Sequence, residues 1–277
     1  MFQYAAGKRL AEKNQTELKL DLTWYDDQHP GDTPRVYELD SFSFELVKAR
    51  QSEIPQPSTS RLGWLKDKAG GRKSLLTTIT EEGFAVNPNV LVAPDNSYLV
   101  GYWQSEKYFS DYHDTITSDF RVKSPLSGQN LEMASAIGGV TSVSLHVRRG
   151  DYVTNANANQ FHGTSPLDYY YAAIAALTKK VSSPSFFVFS DDPDWCKDNL
   201  KLDYPTTYVE HNAPDKGYED MRLMSSCQHH IIANSSFSWW GAWLNPKSDK
   251  LVYAPKQWFK DPAVDTTDLI PSGWIKV

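Results

Sequence analysis

The run SVSLHVRRGDYV (142–153) ends an apolar stretch on Arg148, Arg149 and Asp151, with His146 just before them. Arginine presents a rigid planar fork of donors that matches phosphate oxygens. Two guanidinium groups at one strand end therefore call for a doubly anionic ligand. Two more apolar runs end in polar groups. SFFVFS is followed by Asp191 and Asp192 after its own Ser190, and HHIIAN ends on Asn234 and is followed by Ser235 and Ser236. Ser235 or Ser236 is expected to cap the next helix, and a helix N-terminus adds backbone N–H donors for an anion. A carboxylate on a neighbouring strand end can accept two hydrogen bonds from a guanine edge. Together these groups suit a guanosine diphosphate with something attached. The chain has no G-x-G-x-x-G and no Walker sequence, so the usual dinucleotide and P-loop readings fail.

Each group also has a plainer reading. Arg149 and Asp151 would form an ion pair that only fixes the loop, since adjacent residues on an extended segment point opposite ways. One of Asp191 and Asp192 is expected to cap the helix opened by Pro193. The Asp pair lacks a third ligand at useful spacing, so no metal is expected. SWWGAW (238–243) reads as helix packing rather than a sugar platform. His229 and His230 read as one core and one boundary histidine.

The elements that would position these groups alternate from about residue 131 onward. NLEMASAIG is a helix, SVSLHV a strand and SPLDYYYAAIAALTKKV a long helix with Ser165 as its expected N-cap. SFFVFS, TTYVE, HHIIAN and LVYA are strands, separated by the helices PDWCKDNL, GYEDMRLMSSC and SSFSWWGAWLN. The strands are continuous apolar runs, which indicates a parallel sheet with helices on both faces. Ligands bind such sheets at the carboxyl ends of the strands, where the polar groups lie. Residues 1–125 look like a less regular α/β region. MFQYAAGKRLAEKN opens as a helix, TELKLDL follows as a strand, and SYLVGYWQSEKYFSDY is a strand running into a helix. The Pro-, Ser- and Gly-rich 53–73 reads as a mobile loop. VKSPLSGQN (122–130) has linker composition, which divides the chain into domains 1–128 and 129–277.

The formal net charge of −6 argues against a nucleic-acid binder with a broad basic face. Two cysteines, Cys196 and Cys227, make no disulfide framework, so a reducing cytoplasm is the default. The longest apolar run, YYYAAIAAL (169–177), is too short to span a bilayer.

HVRRGDYV, FVFSDDPDWCKDNL and DMRLMSSCQHHIIANSSFSWWGAWLN resemble the motifs of family 11 glycosyltransferases, the α-1,2-fucosyltransferases, here of the bacterial type. MFQYAAGKRLAEKN resembles the family's N-terminal helix. The resemblance implies a GT-B-like α/β fold, two Rossmann-like domains facing a cleft, with the donor bound by the C-terminal one. It implies transfer of L-fucose from GDP-β-L-fucose to the 2-hydroxyl of a terminal galactose on a glycan, with inversion and without metal or other cofactor. Arg148 would clamp the pyrophosphate and stabilise the leaving group. His146 would lie against the nucleotide, and Asp192 or Asp191 would read the guanine. Ser235, Ser236 and the Phe237 amide would hold the β-phosphate, with Asn234 beside them. Asp151 would orient Arg148 or Arg149, and it is the first candidate for a general base. Family members usually begin with a strand and a Gly-Gly-x-Gly-Asn-Gln loop before the segment matching MFQYA. The first strand of the N-terminal domain is thus expected to be missing, which bears on activity. The acceptor would be an O-antigen, capsule or free glycan chosen by the loops 53–73 and 154–164. The enzyme would work in the cytoplasm or peripherally at the inner membrane face. The competing classes are a sugar-binding module, which would need no diphosphate clamp, and an inactive relative that binds nucleotide only.

Overall fold

The computed structural model describes residues 1–26, 35–55 and 76–277. The chain forms two compact units. One comprises Met1–Gln28, Phe44–Asp119 and Asp265–Leu269, and the other His29–Ser43, Phe120–Val264 and Ile270–Val277.

The first unit opens with α1 (Phe2–Asn14), which buries Phe2, Tyr4, Ala5, Ala6 and Leu10 and stops at Gln15 in the left-handed conformation. TELKLDL does not form the expected strand. It makes a single bridge, Leu20 to Lys48. Asp21 then accepts hydrogen bonds from the Thr23 amide and hydroxyl, and this side-chain capture turns the backbone out of extension. Strands β1 (Thr77–Thr80) and β2 (Ser97–Val100) pair in parallel, with the short α2 (Pro88–Leu91) between them. The helix expected over QSEKYFSDY is split. Ser105 caps a 3₁₀ turn at Glu106–Tyr108, Phe109 interrupts with a non-helical backbone, and α3 (His113–Asp119) begins only after a second such turn. The 53–73 loop falls mostly outside the described residues.

The second unit carries the regular alternation. Its elements are α4 (Gly128–Gly138), β3 (Ser142–Val147), α5 (Gly150–Thr154), α6 (Ala156–Phe161), α7 (Leu167–Thr178), β4 (Ser185–Ser190) and α8 (Pro193–Asn199). They continue with β5 (Thr206–Val209), α9 (Gly217–Ser226), β6 (His229–Ile231), α10 (Ser236–Trp243), β7 (Val252–Ala254) and β8 (Ile275–Lys276). The sheet order is β5-β4-β3-β6-β7-β8 and every pairing is parallel. The α/β class with a parallel sheet read from the sequence is the observed one.

Both faces of the central strands are buried, which is why β4 carries the continuous apolar run Phe186–Phe189. On β4, Phe186 and Val188 join Tyr170, Ala173, Ile174 and Leu177 of α7. Phe187 and Phe189 point the other way, to Ile137 of α4 and Leu223 and Met224 of α9. Burying each such side chain is worth about 1.5–3 kcal/mol. Cys196 and Cys227 are free and lie in these two opposite clusters. Trp239, Trp240 and Trp243 of α10 are buried against one another, as helix packing requires. His229 and His230 are both buried, so neither is a boundary residue. Ser165 is not the cap of α7. Pro166 holds that position, and the Ser165 hydroxyl is drawn instead to Asn234. Helices α5 and α6 occupy most of the expected 154–164 loop, because Asn155 caps α6 by accepting from the Asn157 and Ala158 amides.

Candidate active site

Strand β3 runs left in the order to β4 and β5, while β6, β7 and β8 extend on its other side. The order reverses between β3 and β6, and an open parallel sheet leaves its ligand crevice at such a reversal. The carboxyl ends of β3, β4 and β6 bring the residues singled out in the sequence to this place.

After β3 the chain enters α5 within three residues, so Arg148 stands just before the Arg149 cap and Asp151 three residues on in the helix's first turn. Arg148 Nη2 donates to Asp151 Oδ1 at 2.6 Å. Its Nη1 faces Asp191 Oδ2 at 2.8 Å, across the strand pair. Asp191 Oδ1 accepts the Arg149 backbone amide at 2.8 Å. This close approach explains the glycine in RRGD. A Cβ on residue 150 would stand 2.3 Å from Asp191 Oδ2, nearer than any real contact. Arg148 also lies 5.5 Å over the Tyr152 ring.

The two aspartates after β4 have separate duties. Asp192 is the N-cap of α8, accepting from the Trp195 amide. Its other oxygen accepts Arg149 Nε at 3.1 Å. Arg149 lies 3.8 Å over the Trp195 ring, so the indole face and a carboxylate fix it together. The loop-fixing pair of Arg149 with Asp151 is not formed, because Asp151 is held by Arg148 and by Arg35. Arg35 Nη2 donates to Asp151 Oδ2 at 2.6 Å. Three arginines thus face three aspartates.

At the end of β6, Asn234 is fully committed. Its Nδ2 donates to the carbonyls of His162, Gly163 and Trp258, and its Oδ1 accepts the Ser165 hydroxyl. Its own carbonyl accepts from Tyr152 Oη. Asn234 is 3% exposed, and it fixes the loops around it. Ser235 caps α10 by accepting from the Phe237 amide, while Ser236 is exposed on the first turn. The Phe237 ring packs 5.6 Å from His146, which ties the start of α10 to β3. His146 is buried with Nδ1 unpartnered among the described residues. Burial, and then the Arg148 charge, push its pKa down to about 3, so the imidazole is neutral at physiological pH.

Arg35, Tyr152 and Trp195 were not singled out in the sequence. Tyr152 and Trp195 lie inside the motifs already quoted. Arg35 is 116 residues from its partner in a segment with no motif, and nothing local marks it. Among the described residues no group of three or more His, Cys, Asp or Glu is arranged to hold a metal ion. No described helix is long and apolar enough to cross a membrane.

Residues 86–277 match the family model described as glycosyl transferase family 11. The chain belongs to that family. It is 33% identical to the O-antigen biosynthesis glycosyltransferase WbnK of Escherichia coli, over 100% of this chain and 96% of the relative. It is 32% identical to an α-1,2-colitosyltransferase of Escherichia coli, over 100% and 94%. A structure of NodZ α-1,6-fucosyltransferase soaked with GDP-fucose covers 88% of each chain at 14% identity, with a TM-score of 0.37. As a family 11 glycosyltransferase, the chain has Arg148, Arg149, Asp151, Asp191, Asp192 and the start of α10 inside the matched region, and Arg35 outside it.

Proposed function

We propose that this glycosyltransferase moves L-fucose from GDP-β-L-fucose to the 2-hydroxyl of a terminal galactose on an O-antigen-type glycan, with inversion and without a metal. The observation that carries the reading is the arginine–aspartate cluster at the sheet's reversal point, beside the start of α10. In the reaction the acceptor oxygen bonds to the anomeric carbon from the face opposite the diphosphate. The carbon–oxygen bond to the β-phosphate breaks, its electron pair stays on the phosphate, and the hydroxyl proton leaves to a base or solvent. Arg148 would stabilise the charge that grows on the departing diphosphate, where fixed donors accelerate such a step most. The exposed Ser236 and the first amides of α10 would add to this. Arg149, held by Asp192 and Trp195, and the neutral His146 would line the nucleotide side, with Asp191 or Asp192 toward the base. Both oxygens of Asp151 accept from guanidinium groups, a geometry that favours its orienting role over general-base work. The place of work would be the cytoplasm, peripheral to the membrane when the acceptor is lipid-linked.

The 32% identity to an α-1,2-colitosyltransferase favours a second reading of the donor, GDP-colitose, with the same linkage. The test offers GDP-fucose, GDP-colitose, GDP-mannose and UDP-galactose separately with a galactose-terminated oligosaccharide, with and without EDTA. Product mass and linkage are then read. A deoxyhexose added to O2 from GDP-fucose, unaffected by EDTA, is expected. Transfer from GDP-colitose alone supports the second reading, and transfer only from the UDP sugar overturns both.

A further inference from the structure

Arg35 reaches the cluster from a stretch that carries no motif. The backbone just after it is anchored within the same unit. Ser43 N donates to Arg121 O, Lys123 N donates to Ser41 O, and buried Phe42 packs edge-on against Phe120. The guanidinium itself is half-exposed, whereas the Asp151 side chain it meets is only 10% exposed.

The charge balance gives this contact a consequence. Both terminal nitrogens of Arg148 face carboxylates, Asp151 and Asp191. An incoming diphosphate must compete with those carboxylates for Arg148. When it succeeds, Asp151 loses part of its compensation while nearly buried, and an uncompensated buried carboxylate opposes a second anion nearby. Arg35 already holds the other oxygen of Asp151. Without Arg35, two arginines would face three aspartates before any ligand arrives.

We propose that Arg35 is a positioning residue of the donor site, the counter-ion that lets Asp151 yield Arg148 to the donor's diphosphate. The inference rests on the donor reading given above and goes beyond it. Arg35 acts through Asp151 and not by touching the ligand. That distinction is open to measurement, because removing Asp151 removes the need for Arg35.

The experiment titrates GDP, the probe, into the wild-type chain, Arg35→Gln, Arg35→Lys, Asp151→Asn and the double variant Arg35→Gln/Asp151→Asn, with thermal unfolding run in parallel. Arg35→Gln is expected to weaken GDP binding about ten- to hundredfold. Arg35→Lys, which keeps the charge, should retain most of it. The double variant should bind more tightly than Arg35→Gln, recovering a large part of the loss. Unaltered affinity in Arg35→Gln overturns the proposal. A double variant as weak as or weaker than Arg35→Gln also overturns it, pointing to direct ligand contact. If Arg35→Gln unfolds, Arg35→Lys decides alone: near-normal affinity supports the counter-ion and a large loss contradicts it. A folded wild-type chain that binds no GDP overturns the donor reading itself, and this inference with it.

Discussion

The carboxyl ends of β3 and β6 lie side by side in the sheet and are built on opposite plans. At β3 the polar atoms are charged, partly exposed and shared. Arg148 faces two carboxylates, and Asp151 accepts from two arginines. At β6 the central polar group, Asn234, is neutral and buried, donating to three carbonyls and accepting from one hydroxyl. Ion pairs that share partners can trade one of them for a ligand at small net cost. A buried amide that holds three carbonyls and a hydroxyl cannot, because any loss leaves an unsatisfied group. The arginines and aspartates after β3 are therefore equipped to exchange contacts with an anion, while Asn234 after β6 holds the surrounding loops still.

The sharpest way to break this comparison is at Asn234. Asn234→Ala should lower stability by about 3 kcal/mol, since it orphans three carbonyl acceptors and a hydroxyl in one step. The fall should appear as a lower unfolding temperature, with activity lost only as far as folding is lost. A variant as stable as wild type that has lost donor binding would show Asn234 to be a ligand-contacting residue instead.

A smaller effect is expected from pH. His146 on β3 has its pKa depressed to about 3 by burial and by Arg148, and burial holds His230 on β6 well below its usual range. The unfolded chain takes up protons below about pH 6.5 and these folded imidazoles do not. Their contribution to stability is thus lost as the pH falls through 6.5 toward the folded value. For His146 the loss between pH 7 and 5 is about 2 kcal/mol. Asp220 opposes it. Burial raises its pKa to about 6, so its protonation on acidification favours the fold. Asp220→Asn should therefore be more stable than wild type at pH 7 and lose more stability on going to pH 5. Unfolding temperatures at the two pH values check this. Equal pH slopes in the two proteins would contradict the assignment of opposing groups.

Much of this was legible in the sequence, for identifiable reasons. Strands β3 and β4 are buried on both faces, so their residues had to be apolar or small, with His146 the exception on β3. Arg148, Asp151, Asp191 and Asp192 could be placed because a parallel sheet directs polar groups to its carboxyl ends. The pairing among them could not be read. Which aspartate caps α8 depends on the turn that Asp192 takes, and the partner of Asp151 comes from residue 35. Ser165 carries the local signature of a helix cap, but Asn234, distant in sequence, takes its hydroxyl. TELKLDL has strand alternation, but the hydrogen bonds of Asp21 to Thr23 turn the chain before a ladder forms. Local signals decided elements whose partners are local, and long-range polar contacts decided the rest.

The central claim is that the β3 end is where a diphosphate exchanges with carboxylates for arginine. The most direct test is calorimetric titration of GDP into wild type and Arg148→Ala at one pH and salt concentration, with unfolding temperatures measured alongside. A loss of about a hundredfold or more in affinity in a variant that unfolds within a few degrees of wild type is the predicted result. Unchanged affinity in a well-folded Arg148→Ala would contradict it and move the donor site elsewhere on the sheet.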